Sequence, residues 1–89
     1  MEFMDDFVYV FITNWELSDG PYHELTGIFN SFEKALDKYR KIFQEDLSTA
    51  IKFDYNENLE RNEDYLNHYI YENKGNRYIE YIIKKTRVE

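Results

Sequence analysis

His23 and His68 are the side chains best suited to acid-base or metal chemistry, because an imidazole titrates near neutrality and readily binds transition metals. Neither lies in a ligand spacing such as H-x-x-x-H, and the chain has no cysteine to complete a metal site. Two unrelated histidines, on the surface or half-buried, are the expectation, and a cross-strand metal or acid-base pair is the alternative. Adjacent carboxylates such as Asp5 and Asp6, or Glu63 and Asp64, have the types that paired general acids and bases require. With 18 acids in 89 residues, however, adjacency arises by chance. Gly20, Gly27 and Gly75 are too far apart for a phosphate-cradling loop. The chain reads as a non-enzyme with no catalytic residue, metal or cofactor.

The remaining chemistry is that of surfaces. Residues 54–64, DYNENLERNED, hold five acids, Asp54, Glu57, Glu60, Glu63 and Asp64, against the single base Arg61. No Lys or Arg precedes Lys34, whereas residues 1–33 carry seven acids. The net charge of -7 disfavours nucleic acid and anionic membrane as direct partners and favours a protein with a basic surface. Acids spaced irregularly among asparagines can follow the positions of DNA phosphates and occupy a basic groove, whereas the plain alternative is a solvated connector. The terminal KKTR is too short to reverse that field.

Nine tyrosines, seven phenylalanines and one tryptophan are the second unusual feature. Tyr and Trp bury large area at low entropic cost while keeping a polar handle, so Tyr9 and Trp15 join the five acids as candidate partner-binding residues. The alternative is that the rings simply fill a small core.

These residues need a scaffold. Eighty-nine residues suit a single domain, 1–89, and hydrophobic and aromatic contents of 43% and 19% are too high for disorder. Without cysteine, stability must come from packing. No run reaches the ~18 apolar residues of a membrane span, and the acidic start MEFMDD is unlike a secretory signal, so a cytoplasmic protein is expected.

Residues 7–17, FVYVFITNWEL, are β-branched and aromatic, which predicts a strand with Val8, Val10 and Ile12 on one face and Phe7, Tyr9, Phe11 and Trp15 on the other, both partly covered. The turn residues Ser18, Asp19, Gly20 and Pro21 lead to a second antiparallel strand at 22–30, where Gly27 marks a bulge or a close contact. Phe32, Ala35, Leu36, Tyr39, Ile42 and Phe43 recur at helical spacing, predicting a helix from about residue 32 to 46. Either Asn30 and Glu33 form a capping box, or Ser31 is the cap. Residues 51–53 suit a short strand and 54–64 a loop or one helical turn. The Tyr/Ile-rich runs after residue 65 predict a hairpin turning at 72–75, with Gly75 in a left-handed conformation; a second helix at about 57–73 is the alternative. The fold class is α+β, an antiparallel sheet with one main helix on one face.

The strand VYV (8–10), the step GIFNSFEKA (27–35) and the segment IKF (51–53) resemble a family of small uncharacterised bacterial and phage domains. That resemblance spans roughly two fifths of the chain and implies an α+β fold with no catalytic residue. In general character the chain also resembles small acidic phage-encoded inhibitors of bacterial defence systems, including the anti-CRISPR type. The expected function is non-catalytic protein binding, with inhibition of a host defence protein as its sharper form. A structural or regulatory homodimer and a nucleotide-binding sponge are the alternatives.

Overall fold

In a computed structural model of the chain, which describes residues 7–17 and 20–88, the order is β1 (Phe7–Glu16), β2 (Pro21–Phe29), α1 (Phe32–Thr49), β3 (Tyr55–Arg61), β4 (Tyr65–Glu72) and β5 (Tyr78–Arg87). The strands form one antiparallel sheet in the order β2-β1-β5-β4-β3, with α1 packed on one face: an α+β fold. β2 and β3 are therefore the two edges, and α1 is the connection that carries the chain from one edge to the other. At about 1.5 Å per residue its 18 residues span about 27 Å, and they run along β1, with Phe32 beside Tyr9 at one end and Asp46 and Ala50 near Trp15 at the other.

Register decides the faces, because residues directly opposite in an antiparallel ladder point the same way. Phe11 faces Ile83 and Ile83 faces Leu66; Thr13 faces Tyr81 and Tyr81 faces His68. All six are buried beneath α1. The helix contributes Ala35, Leu36 and Tyr39 to the same core, the face its periodicity predicts. Val8, Val10 and Ile12 lie on the opposite face, which no element among the described residues covers. The expectation that both faces of β1 are at least partly covered holds: Val8, Val10 and Ile12 are half-buried by neighbours in the sheet, while the helix lies on the other face alone.

Local chemistry accounts for the boundaries. Ser31 is the N-cap, its Oγ accepting from the Lys34 amide at 3.2 Å, so the Asn30–Glu33 alternative is not the one used. α1 continues to Thr49, three residues past the expected end at Asp46. Gly20, in the β1–β2 turn, has φ 109°, while Ser18 and Asp19 lie outside the described residues, as do Asp5 and Asp6. Gly27 fits both of its expected roles: the β1–β2 register shifts beside it, and a Cβ there would meet the Phe29 ring at 2.7 Å.

Three local expectations are corrected. Residues 51–53 are not a strand; Ile51 is buried in the connection and pairing starts at Tyr55. The acidic stretch is neither loop nor helical turn, since residues 55–61 form β3 and pair residue by residue with β4. The helix alternative at 57–73 falls for the same reason. The β4–β5 hairpin is present, but its loop runs through residues 73–77 and Gly75 has no positive φ. Gly75 is needed for room: a Cβ there would collide with the Glu72 carboxylate, which Arg77 grips through Nε at 3.1 Å and Nη2 at 2.6 Å. That charge-assisted pair holds Glu72 below the ordinary carboxylate range. Among the described residues no helix is long and apolar enough to cross a membrane.

Removing the cap by Ser31→Ala is expected to cost about 1 kcal/mol, read as a lower urea midpoint with an unchanged m-value.

Candidate functional site

His68 sits at the centre of the covered face because Leu66, His68 and Ile70 alternate inward along β4. Only 3% of it is exposed, so both ring nitrogens need partners. Glu57 supplies one from β3, its Oε1 2.6 Å from Nε2, and Tyr39 supplies the other from α1, its Oη 2.7 Å from Nδ1. A carboxylate can only accept, so Nε2 carries a proton; in the neutral ring Nδ1 then accepts from the Tyr39 hydroxyl. Phe43, Tyr39 and Tyr81 surround the imidazole with centroids at 4.9, 6.0 and 6.0 Å. Burial, and after it the Glu57 charge, push the Tyr39 hydroxyl above its ordinary range. With Tyr39 only 9% exposed, the chain of hydrogen bonds acts as a lock that ties edge strand, sheet and helix together.

A second lock lies beside it. Tyr81, fully buried, donates its hydroxyl to Asp46 Oδ2 at 2.7 Å. Burial raises the Asp46 carboxyl above the usual range, with the Tyr81 hydrogen bond opposing it, and burial and Asp46 together push the Tyr81 phenol far up.

The seven residues expected to meet a partner separate into distinct groups. Tyr9 and Asp64, 55 positions apart, come together: Tyr9 Oη donates to Asp64 Oδ1 at 2.9 Å, and Lys85 Nζ lies 3.8 Å from Oδ2. Tyr9 also packs against Phe32 on the helix-covered face. Trp15 lies on that face too, at the other end of β1, stacked on Tyr22. Neither ring belongs to an open aromatic surface, because the aromatic side of β1 is the side that α1 covers. Glu57 is engaged with His68. Asp54, Glu60 and Glu63 are exposed and form no ion pair among the described residues. The two histidines do not meet. His23, opposite Asn14, belongs to the uncovered face and His68 to the covered one.

No family profile, curated protein or solved structure matches this chain.

The uncovered face carries a polar line across four strands. His23 Nδ1 lies 2.7 Å from Asn14 Oδ1, Asn14 Nδ2 donates to Glu80 Oε1 at 3.3 Å, and Asn67 Nδ2 donates to Glu80 Oε2 at 2.9 Å. Tyr69, stacked on Tyr71 and tilted against Tyr78, flanks the line on one side, and Leu25 and Ile28, 58% and 59% exposed, flank it on the other. Between α1 and the β1–β2 edge lies a cleft of about 450 Å³, lined in part by Thr13, Trp15, Thr26, Ile42 and Asp46. Among the described residues no three His, Asp or Glu side chains gather as a metal site would need.

Of the His68 lock only Glu57 is among the expected site residues; His68, Tyr39 and Asp46 are not. For His68 the signal is its parity: it occupies an inward position between Leu66 and Ile70, where an imidazole must find buried partners. For Asp46 no local signal exists, because its partner Tyr81 is 35 residues away.

Tyr39→Phe leaves His68 Nδ1 without its partner and is expected to cost about 1–3 kcal/mol by urea denaturation. Because the Asp46 pKa is raised on folding, the folded state favours its protonated form, and its contribution to stability falls as pH rises from the ordinary aspartate value through the folded one. Thermal melts of the parent and of Asp46→Asn across that interval are expected to show the parent losing stability relative to the variant as pH rises.

Proposed function

We propose that this chain is a non-catalytic protein-binding module that docks a basic partner on its acidic edge, and the observation that carries this is the placement of β3. β3 is an edge strand, and six of its seven residues are exposed. One side of its backbone therefore presents hydrogen-bonding groups that no strand among the described residues pairs, while Asp54, Glu60 and Glu63 surround it with negative charge. An extended segment from a partner can extend the sheet here, and Lys or Arg on that segment is drawn in by the field. The same charges repel a second copy of β3, so the edge selects against self-pairing and for a basic strand. Within this reading the partner class we favour is a basic host protein of a bacterial defence system, inhibited by occupation of a groove that serves nucleic acid. The acid-rich, base-poor first third of the chain and the -7 net charge support it.

A second reading rests on the uncovered face. Leu25 and Ile28 are exposed there beside the half-buried Val10 and Ile12, and two copies can bury that patch across a two-fold axis. Sedimentation separates the readings: a monomer at all concentrations removes the dimer.

Changing Asp54, Glu60 and Glu63 together to Asn or Gln leaves the internal bonds of Glu57 and Asp64 untouched. With the basic partner in hand, the triple variant is expected to bind at least tenfold more weakly at low salt, with a flatter salt dependence, by calorimetric titration. Unchanged affinity and salt slope would remove the reading.

A further inference from the structure

We propose that the cleft between α1 and the β1–β2 edge is a binding site for an organic cation, an ammonium group on a short apolar stem. The cleft lies across the sheet from β3, so the inference does not depend on the reading of that edge. Its volume of about 450 Å³ falls within the range of small-molecule sites.

The lining has the parts that such a ligand requires. Ile42 and Ile79 supply an apolar floor for a hydrocarbon stem. Trp15 forms a wall, and an indole face is the best aromatic partner for a cation. Thr13 and Thr26, bonded to each other at 2.7 Å, place two hydroxyl oxygens in the cleft, so that while one donates, the other's proton is free to turn away and leave lone pairs for an ammonium. Asp46 is the half-buried carboxylate of the site, fixed in position by the Tyr81 hydroxyl on Oδ2.

Charge decides the sign of the ligand. Glu24, Glu45 and Asp46 line the cleft against one base, Lys38, which pairs with none of them among the described residues. The cleft also opens beside the last turns of α1, which hold no basic residue, so the negative end of the helix dipole adds to the carboxylate field. Lys52 answers only the terminus itself, donating to the Ser48 carbonyl at 2.6 Å. Trp15, Thr13 and Asp46 all serve the fold, but fold stability alone does not require three carboxylates around one lysine that pairs with none of them. A bound cation compensates their mutual repulsion.

Trp15 is the chain's single tryptophan and reports the cleft directly. Its fluorescence is followed at low salt during titration with n-butylammonium and with Nα-acetyl-lysine amide, with n-butanol and butyrate as controls. A saturable change with both ammonium probes is expected, and none with butanol or butyrate. Binding of the lysine derivative at least tenfold tighter than butylammonium assigns the site to a partner's lysine side chain; equal or weaker binding assigns it to a free amine. Asp46→Asn keeps an acceptor for Tyr81 and is expected to weaken both probes at least tenfold. Glu24→Gln, exposed on the edge strand, is expected to weaken them about threefold, and Glu63→Gln at the opposite edge to leave them unchanged. No saturable change with the ammonium probes, an equal response to butanol, or unaltered binding in both cleft variants would overturn the site.

Discussion

One helix cannot cover both faces of a five-stranded sheet. That constraint organises the molecule, because α1 packs on one side only, against β1, β2 and β5, and among the described residues the other face and both edges have no intramolecular partner. Burial concentrates on the covered face, where Phe11, Leu36, Leu66, Ile70, Tyr81 and Ile83 are sealed. The polar groups forced into that core are matched in pairs: His68 with Glu57 and Tyr39, Tyr81 with Asp46, and Thr13 with Thr26. Each match joins residues from different elements, so the core polar bonds also fix how helix, centre and edge meet.

The order of the strands adds a second consequence. β5 lies at the centre between β1 and β4, so the sheet is complete only when its first and last strands have both been made. The first and last strands pair over their whole lengths, and the cysteine-free chain relies on this long-range closure where a small secreted domain would use disulfides.

Much of this was legible in the sequence. The helical spacing of Phe32 to Phe43 and the turn residues after Leu17 announce their elements, because one-face periodicity and turn chemistry are local properties. β3 was not legible. Its residues include two asparagines and two glutamates, poor strand formers, and it is extended because β4 offers it a ladder and because Glu57 finds His68. The aromatic face of β1 was correctly separated from the aliphatic one, but alternation cannot say which face the helix takes. Packing against Tyr39 and Phe32 decides it, and Tyr9 and Trp15 go inward as a result. Of the acids, spacing alone does not distinguish Glu57 and Asp64, which have internal partners, from Asp54, Glu60 and Glu63, which face solvent.

The acidic, unpaired β3 edge is the feature on which the functional account stands. Its most direct test is an amide-resolved NMR titration of the ¹⁵N-labelled chain with a short extended peptide of alternating lysine and valine, at low and high salt. The account predicts shift changes concentrated in residues 55–61 and their β4 neighbours, reversed by salt. Changes centred on β2 or the uncovered face, or none at all, would contradict it.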